Sequence, residues 1–284
     1  MSDYISKMGA QERELVIEAG RAEQQYWRDL WAYRELFLFL AWRDILVRYK
    51  QTVIGIAWAV IRPFITMVVF TVIFGKIAKM PADGLAPYAI MVYAATLPWQ
   101  FFSSALSESS NSMISNSNLI SKIYFPRLIV PAGTVITSFV DFLIAGGVMG
   151  VLMIWYRWCP DWRILTLPLF IFLAFCVAAG PGLLVASLNV KYRDFRYVVP
   201  FIVQLGLYVS PVGFSSSIVP KKWMWLYACN PMVGVIDGFR WALLRGEPPI
   251  NWSNMATSLA ITAVMLVIGI RYFRKVERTF ADII

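Results

Sequence analysis

Residues 48–74 are RYKQTVIGIAWAVIRPFITMVVFTVIF, a basic start followed by an apolar run that contains Arg62 and Pro63. A helix needs about 20 mainly apolar residues to cross a bilayer, and the run after Pro63 is too short, so Arg62 must lie inside the span. A central Arg costs roughly 2.5–3.5 kcal/mol on a scale that credits about 0.3–0.6 kcal/mol to each Val, Ile or Phe. Residues 53–75 contain thirteen of these three residue types. Insertion therefore remains favourable despite the charge.

The composition of the whole chain also indicates an integral membrane protein. Of its 284 residues, 59% are hydrophobic and 15% are charged, against roughly 25% charged in soluble domains. The first 35 residues are polar, so we expect no cleavable signal peptide. We predict an all-α membrane protein that enters the bacterial inner (plasma) membrane through its own first span.

Several classes of function find no support among the residues. The sequence has no His, the commonest general base and metal ligand, and Cys159, Cys176 and Cys229 form no CxxC pair. We therefore expect no catalytic residue and no metal site. No GxxxxGK[ST] motif is present, so we expect no cofactor in this chain and ATP with Mg²⁺ only on another chain. We attribute the net charge of +9 to flanks facing membrane lipids rather than to nucleic acid.

The hydropathy of the chain predicts six transmembrane helices. Basic residues are more frequent on the side that includes the start of the first span, which places both termini in the cytoplasm. We divide the chain into a cytoplasmic segment (residues 1–52), a transmembrane domain (residues 53–274) and a cytoplasmic tail (residues 275–284). The predicted spans are residues 53–75, 88–107, 131–155, 164–188, 197–217 and 254–273.

An amphipathic helix is predicted just before the first span, over residues 36–51. Leu38, Trp42 and Leu46 belong to one apolar face, whereas Arg43 and Arg48 lie on the other. Such a helix lies on the membrane surface at the interface with water. The alternative is a soluble amphipathic helix packed against a partner protein.

Asp141 is the other ionisable residue that falls well inside a predicted span. Arg62 is nine residues past Val53 and Asp141 is ten past Pro131, so at about 1.5 Å per residue both lie roughly 14–15 Å deep in helices that run the same way. Equal depth permits an Arg62–Asp141 ion pair between neighbouring helices. Two other interpretations stay open: both residues face a water-filled pathway, or Arg62 extends to the interface.

Helix-breaking and small residues interrupt several spans. Pro63 predicts a kink in the first span, and Gly180-Pro-Gly182, Pro200 and Ser210-Pro211 predict breaks in the fourth and fifth. Gly146 and Gly150 form a GxxxG motif in the third span, which is typical of a face where helices pack closely.

Two loops have compositions that suggest a function. Residues 108–118 are rich in hydroxyl and amide groups, and residues 119–125 add exposed apolar groups, which favours either a docking site for a partner or a helical extension of the second span. On the external side, residues 232–244 form an apolar segment too short to cross the membrane. Asp237 and Arg240, three residues apart on this segment, can pair. The segment is either a re-entrant outer lid or a surface anchor.

The order of motifs resembles a known family. After residues 48–63 come LPWQFF from Leu97, NLISKIYFPR from Asn118, NVKYRDF from Asn189, SPV from Ser210, NPM from Asn230 and FRW from Phe239. This series, over roughly residues 25–284, is similar to the membrane subunits of ABC-2-type polysaccharide exporters, which export O-antigen, capsule or teichoic acid.

The resemblance implies a homodimer with two copies of a cytoplasmic ATPase subunit, which moves a lipid-linked polysaccharide. It assigns an external gate to Asp237, Phe239, Arg240 and Trp241. It assigns the helix that couples to the ATPase to Asn118, Leu119, Ile120, Lys122, Ile123, Tyr124, Phe125 and Arg127.

Aromatic side chains line the sugar path in this family. Since Trp and Tyr also collect at membrane interfaces, the resemblance supports the group of candidates more than any one member. Arg62 and Asp141 are further candidates, with Arg62 facing the pyrophosphate of a lipid-linked substrate. The aromatic candidates are Tyr93, Trp99, Phe101, Phe102, Phe201, Tyr208 and Phe214.

Two rival functions are considered. A membrane-embedded glycosyltransferase or acyltransferase would need a base, a nucleophile or an acidic metal cluster, and Asp141 is isolated in the sequence. An ion-coupled secondary transporter would use Arg62 and Asp141 as its coupling charges.

Overall fold

The apolar runs of the sequence fold into helices in the computed structural model, which describes residues 22–50, 55–82, 84–277 and 280. No strand occurs in these ranges. Residues 1–21, 51 and 52 of the predicted cytoplasmic segment, residues 53 and 54 of the first predicted span, and residues 278, 279 and 281–284 of the predicted tail lie outside the described residues. The α-helices are α1 (Ala22–Ala32), α2 (Arg34–Lys50), α3 (Gly55–Phe70), α4 (Tyr88–Ser115), α5 (Ser117–Lys122), α6 (Ile129–Trp155), α7 (Leu167–Lys191), α8 (Phe195–Val209), α9 (Met224–Ala228), α10 (Pro231–Leu243) and α11 (Trp252–Val276).

Helix α2 occupies the position of the predicted amphipathic helix. Leu40 and Ala41 are buried, whereas Leu38, Trp42 and Leu46 are exposed. These three exposed residues follow each other at intervals of four, so they form one apolar row that points away from the protein. The row suits a bilayer surface, and the location of α2 in the membrane interface stays a prediction.

Within the described ranges, four helical segments are long and apolar enough to cross a membrane, where six were predicted. They are Ile56–Ile77, Ile129–Trp155, Trp162–Lys191 and Trp252–Val276. The second and fifth predicted spans correspond to α4, whose carboxyl half is polar, and to α8, which has 15 residues. Helix α8 ends where Ser210-Pro211 follows, because Pro cannot continue the hydrogen-bond ladder. The six-span arrangement therefore stays a prediction.

Helix α4 is the centre of the fold. It packs against α3, α6, α7, α8 and α10, and its residues from Ala89 to Trp99 are buried. The second span is predicted to end at residue 107, followed by either a docking loop or a helical extension of that span. The structure confirms the helical extension, since α4 continues to Ser115 and ends at Asn116. Neighbouring helices rather than lipid cover its polar half, so low hydropathy does not end the helix.

The prolines and glycines predicted to break the spans are mostly accommodated inside helices. Pro63 lies within α3, which is followed directly by a π-helical segment, Thr71–Ile77. Pro181 lies within α7, and Pro200 lies within α8. The predicted break at Gly180-Pro-Gly182 is therefore wrong, because α7 continues through it to Lys191.

Helices α7 and α11 approach each other closely at two glycines. A Cβ added at Gly269 would lie 2.2 Å from the carbonyl oxygen of Gly180, and one added at Gly180 would lie 2.8 Å from the backbone nitrogen of Leu266. At Gly146 and Gly150, by contrast, an added Cβ meets nothing within 4 Å. The close-packing face predicted from the GxxxG motif is therefore not used within this chain.

This contrast yields a stability test. We expect Gly269→Ala to lower the free energy of unfolding by about 1–3 kcal/mol, because the methyl group collides with rigid backbone. The matched control is Gly150→Ala, which has open space and a better helix former and is expected to be neutral or stabilising. Thermal and denaturant unfolding of the two purified variants measures the difference. Equal stability of both variants would show that α7 and α11 are not packed as described.

Candidate functional site

A cluster of charged side chains joins α2 to two helices of the core. The Arg48 guanidinium lies 3.1 Å from Oε2 of Glu108 on α4 and 3.2 Å from Oδ2 of Asp141 on α6. The Tyr49 hydroxyl donates to the other oxygen of Asp141, and Ser138 donates to Glu108 at 3.2 Å. We call these five residues the ionic cluster. In this cluster, the single guanidinium of Arg48 is the charged partner of both carboxylates, Glu108 and Asp141.

The local environment fixes the protonation of the two α2 residues. Burial, followed by the hydrogen bond to Asp141, raises the pKa of Tyr49 well above its ordinary value, so its hydroxyl keeps its proton and remains the donor. Burial is the largest influence on Arg48 and lowers its pKa, but the interactions with Glu108, Asp141 and Tyr49 together outweigh burial and raise the pKa of the guanidinium. The Arg48 guanidinium is therefore charged at neutral pH.

The structure does not form the predicted Arg62–Asp141 ion pair. Asp141 is bound instead by Arg48 and Tyr49, and the Arg62 guanidinium lies 5.8 Å from the ring centroid of Trp58. The prediction matched depths along two helices, but depth does not determine which way a side chain points around the helix axis. A residue of α2 reaches Asp141 first.

Arg62 and Asp141 nevertheless line one cavity of about 180 Å³. The cavity lies between α3, α4 and α6, with Arg48 at its edge. One water molecule occupies about 30 Å³ in the liquid, so the cavity has room for roughly six waters. We call it the ionic cavity. Its remaining lining residues are Trp58, Ala59, Pro63, Leu97, Gln100, Phe101, Ser104, Ser138, Phe142 and Ala145.

The predicted coupling residues divide into two sets. We call residues 117–127 the docking segment; it comprises α5 and the turn before α6. Ile120 and Phe125 are buried in an apolar cluster with Leu40 of α2, and Leu119 is half-buried. Arg127 donates to the backbone carbonyl of Glu277. The outward set, exposed to solvent, consists of Asn118, Lys122, Ile123 and Tyr124.

The docking segment is held from two sides by residues distant in sequence. Arg43 of α2 donates to the side chain of Asn116 at 2.8 Å, the residue at which α4 ends. From the carboxyl-terminal part of the chain, Phe273 and the fully buried Phe280 pack into the apolar cluster that contains Ile120 and Phe125 of the docking segment. Tyr26 of α1 donates to the Glu277 carboxylate at 3.0 Å. The segment is therefore fixed at its base while its outward residues remain uncovered.

The external segment predicted as a lid is a buried helix. Asn230 caps α10 by accepting from the backbone nitrogen of Met232 at 3.0 Å, and Pro231 occupies its first turn. Asp237 accepts from Ser216 at 2.9 Å. Phe239 is buried, and the half-buried Trp241 lies 5.4 Å from the Arg163 guanidinium. Instead of lying flat on a surface, α10 packs into the core against α4 and α7.

Arg240 of α10 is a fully buried charged residue, with 0% exposure. Its guanidinium donates to the carbonyl of Phe214 at 2.8 Å, of Val212 at 3.2 Å and of Met91 at 3.4 Å. The first two carbonyls belong to the irregular chain after α8, which has no helical partners for them. Arg240 therefore replaces backbone hydrogen bonds that the break at Ser210-Pro211 removes.

The aromatic path candidates occupy different environments. Trp99 is buried against α8, where a Cβ at Gly206 would lie 2.7 Å from the indole. Tyr93 and Phe101 are buried as well, the former donating to the Ala145 carbonyl at 2.9 Å. Phe102 and Phe214 are half-buried. Phe201 and Tyr208 of α8 are exposed, at 66% and 60%.

Comparison with known proteins places the chain in a family. Residues 35–244 match the ABC-2 type transporter family, a range that includes α2, the ionic cluster, the docking segment and α10. The chain belongs to the ABC-2 type transporter family. It is 25% identical over 252 residues to the O-antigen export system permease protein RfbA of Klebsiella pneumoniae, covering 88% of this chain and 95% of the relative.

Other relatives of this ABC-2 transporter chain are also similar over most of their length. The O-antigen export system permease protein RfbA of Myxococcus xanthus is 23% identical over 257 residues, or 90% of this chain and 97% of the relative. The polysialic acid transport protein KpsM of Escherichia coli is 25% identical over 246 residues, or 84% and 92%. The similarity therefore extends through the described helices rather than being confined to one motif.

Sequence reasoning missed several residues of this ABC-2 transporter site. Glu108 lies just past the predicted end of the second span and is not among the predicted site residues, although it is the single acidic residue between positions 88 and 127. That isolation in an otherwise uncharged helix was a usable signal. The contacts of Arg43 with Asn116 and of Tyr26 with Glu277 had no signal in one sequence, because they join distant parts of the chain.

The role of Arg240 can be tested by removing its charge. We expect Arg240→Met to lower the stability of the transporter by at least about 3 kcal/mol, because each unsatisfied buried polar group costs about 1–3 kcal/mol. Arg271→Met, at an exposed position of α11, is the matched control and is expected to be nearly neutral. Thermal unfolding in the same detergent compares them. If both variants unfold at the same temperature, Arg240 does not support the chain after α8.

Proposed function

We propose that this chain is the membrane subunit of an ATP-driven exporter that moves a lipid-linked polysaccharide across the bacterial inner membrane. The observation that carries the proposal is the similarity over 84–90% of the chain to relatives named for O-antigen export and polysialic acid transport. These relatives share polysaccharide cargo while differing in the polymer. The common activity is therefore a better inference than any one sugar.

ATP must then be hydrolysed by a second chain. No P-loop occurs in the 284 residues, so we assign ATP and Mg²⁺ to a separate cytoplasmic ATPase subunit. The docking segment supports this, because Lys122, Ile123 and Tyr124 are exposed on a base that is firmly packed. An exposed apolar and basic knob held rigidly is a typical protein docking surface. We further propose a homodimer of this chain with two ATPase subunits and both termini in the cytoplasm.

The translocation path is proposed to run along α8. Tyr197, Phe201, Gln204 and Tyr208 are spaced by four, three and four residues and are all exposed, so they form one row of rings and an amide. Aromatic faces and amide groups suit a moving glycan, since they contact sugar rings without requiring one sugar sequence. Tyr93, Trp99 and Phe101 support the helices behind that row.

Copurification with the ATPase encoded beside this gene tests the proposal. We expect a four-subunit complex that hydrolyses ATP and, in proteoliposomes or cells, exports glycan only when ATP is hydrolysed. Export driven by an ion gradient without the ATPase would contradict the proposal and favour the secondary transporter. Transfer of a sugar or acyl group by the chain alone would favour the transferase.

The docking segment gives a sharper prediction. Lys122→Glu combined with Tyr124→Ser is expected to reduce the recovered ATPase at least about tenfold, because loss of one hot-spot residue, a class in which Tyr is enriched, typically costs about 2 kcal/mol or more. Arg193→Glu, an exposed charge reversal in the loop between α7 and α8, is the control and should retain the ATPase. Arg127 is avoided as a probe because it binds the Glu277 carbonyl. Equal recovery with both variants would remove the docking role.

The α8 row predicts a loss of transport without a loss of assembly. Phe201→Ser and Tyr208→Ser are each expected to slow export about two- to tenfold, since an aromatic contact contributes roughly 0.5–1.5 kcal/mol. ATPase recovery should be unchanged. Phe172→Ser, at an equally exposed position of α7, controls for the loss of a membrane-facing ring. A similar slowing in the control would show that α8 has no special place in the path.

A further inference from the structure

Asp141 lies between two arginines on different helices. Arg48, at the end of α2, binds it at 3.2 Å. Arg62, on α3, lines the ionic cavity into which Asp141 also opens. No carboxylate among the described residues forms an ion pair with Arg62, and its guanidinium faces the Trp58 ring. The carboxylate therefore has one bound cation and a second one across a small cavity.

The charges of this region are shared unequally. Arg48 neutralises both Glu108 and Asp141, so one positive charge serves two negative ones. With Arg62 included, two arginines face two carboxylates. In a low-dielectric site, a carboxylate without a full charged partner is costly. An arrangement with Arg48 on Glu108 and Arg62 on Asp141 would pair every charge once.

The ionic cavity is the wrong size for a glycan and the right size for such a change. At about 180 Å³ it is smaller than the roughly 300–1,000 Å³ typical of pockets that enclose a ligand. A polymer does not pass through it in this state. Space for several waters is enough for a guanidinium to turn from the Trp58 ring towards Asp141.

Helix α2 connects this cavity to the docking segment. Arg43 binds Asn116 at the base of the segment, and Leu40 packs in one cluster with Ile120. Arg48 is five residues after Arg43, or about 7.5 Å along the helix axis. Because an α-helix is stiff over this length, displacement of the docking segment displaces the Arg48 guanidinium as well.

We propose that Asp141 exchanges Arg48 for Arg62 when α2 is displaced by the docking segment. In the observed arrangement Asp141 holds the end of α2. In the second arrangement Arg48 keeps Glu108, Arg62 binds Asp141, and α3 is drawn to α6 in place of α2. Arg43 and Arg48 are positioning residues in this scheme, since neither needs to touch the glycan. The inference rests on the proposed function for what moves the docking segment.

Double-mutant cycles in two states of the complex test the exchange. Arg48→Gln, Arg62→Gln and Asp141→Asn are made singly and in pairs, and the purified complex is unfolded thermally at rest and with ATP on a hydrolysis-deficient ATPase subunit. At rest, we expect the shifts of Arg48→Gln and Asp141→Asn to be non-additive by at least about 2 °C, and those of Arg62→Gln and Asp141→Asn to be additive. With ATP bound, the non-additive pair should become Arg62 with Asp141.

Transport gives a second readout. Arg62→Gln is expected to lower export at least about fivefold while leaving ATPase recovery unchanged, because coupling between sites is typically worth a factor of that size or more. Tyr49→Phe removes a hydrogen bond without removing a charge and serves as the matched control, which should still show the change of partner. If Asp141→Asn does not fold, Asp141→Glu keeps the charge, and the two arginine variants are compared on that background.

The outcomes separate the two proposals. A normal complex that hydrolyses ATP, with the same arginine coupled to Asp141 in both states, overturns the exchange alone. Full export by Arg62→Gln does so as well. Failure of any ATPase to copurify overturns the proposed function and the exchange with it. A change of coupled arginine between the two states supports the exchange.

Discussion

A carboxylate half-buried among apolar helices needs a cation within reach, and in this protein one arginine supplies it for two helices at once. Arg48 binds Glu108 on α4 and Asp141 on α6, so removal of Arg48 leaves two half-buried carboxylates without their ion pair. The contact therefore fixes where α2 ends against the core. Helix α3 follows α2 in the chain. The position of the end of α2 therefore also influences the position of Arg62 at the cavity.

In the docking segment, some side chains anchor the segment to the fold and others are exposed. The buried side chains of the docking segment join a cluster built by α2, α4, α6, α7 and α11, to which Phe280 adds the end of the described chain. The exposed side chains of the segment do not take part in this cluster. A surface organised in this way can lose an outward side chain without unfolding. A substitution at the exposed Tyr124 therefore tests partner binding, whereas a substitution at the buried Phe125 tests stability.

Hydropathy and residue spacing predicted much of the fold but less of its side-chain contacts. The apolar runs located α3, α6, α7 and α11, because a helix that faces lipid must be apolar along its length. Helix α4 was cut short at residue 107, since its polar half is covered by neighbouring helices rather than lipid, and Glu108 was lost from the site with it. Equal depth placed Arg62 and Asp141 at one cavity, but rotation about each helix axis is not encoded in depth. The partner of Asp141 came from α2, which the span count did not consider.

Arg240 limits how α10 and the chain after α8 can move. Hydrogen bonds to charged groups contribute about 1.5–3 kcal/mol each, and this guanidinium makes such bonds to Phe214, Val212 and Met91. Swinging α10 away from the chain after α8 would break several of them in a buried site and would cost several kcal/mol. The lower-energy motion keeps α10 and residues 212–214 together as one body. An opening near α10 is then expected along the exposed face of α8, where Phe201 and Tyr208 have few contacts to lose, rather than between α10 and the core.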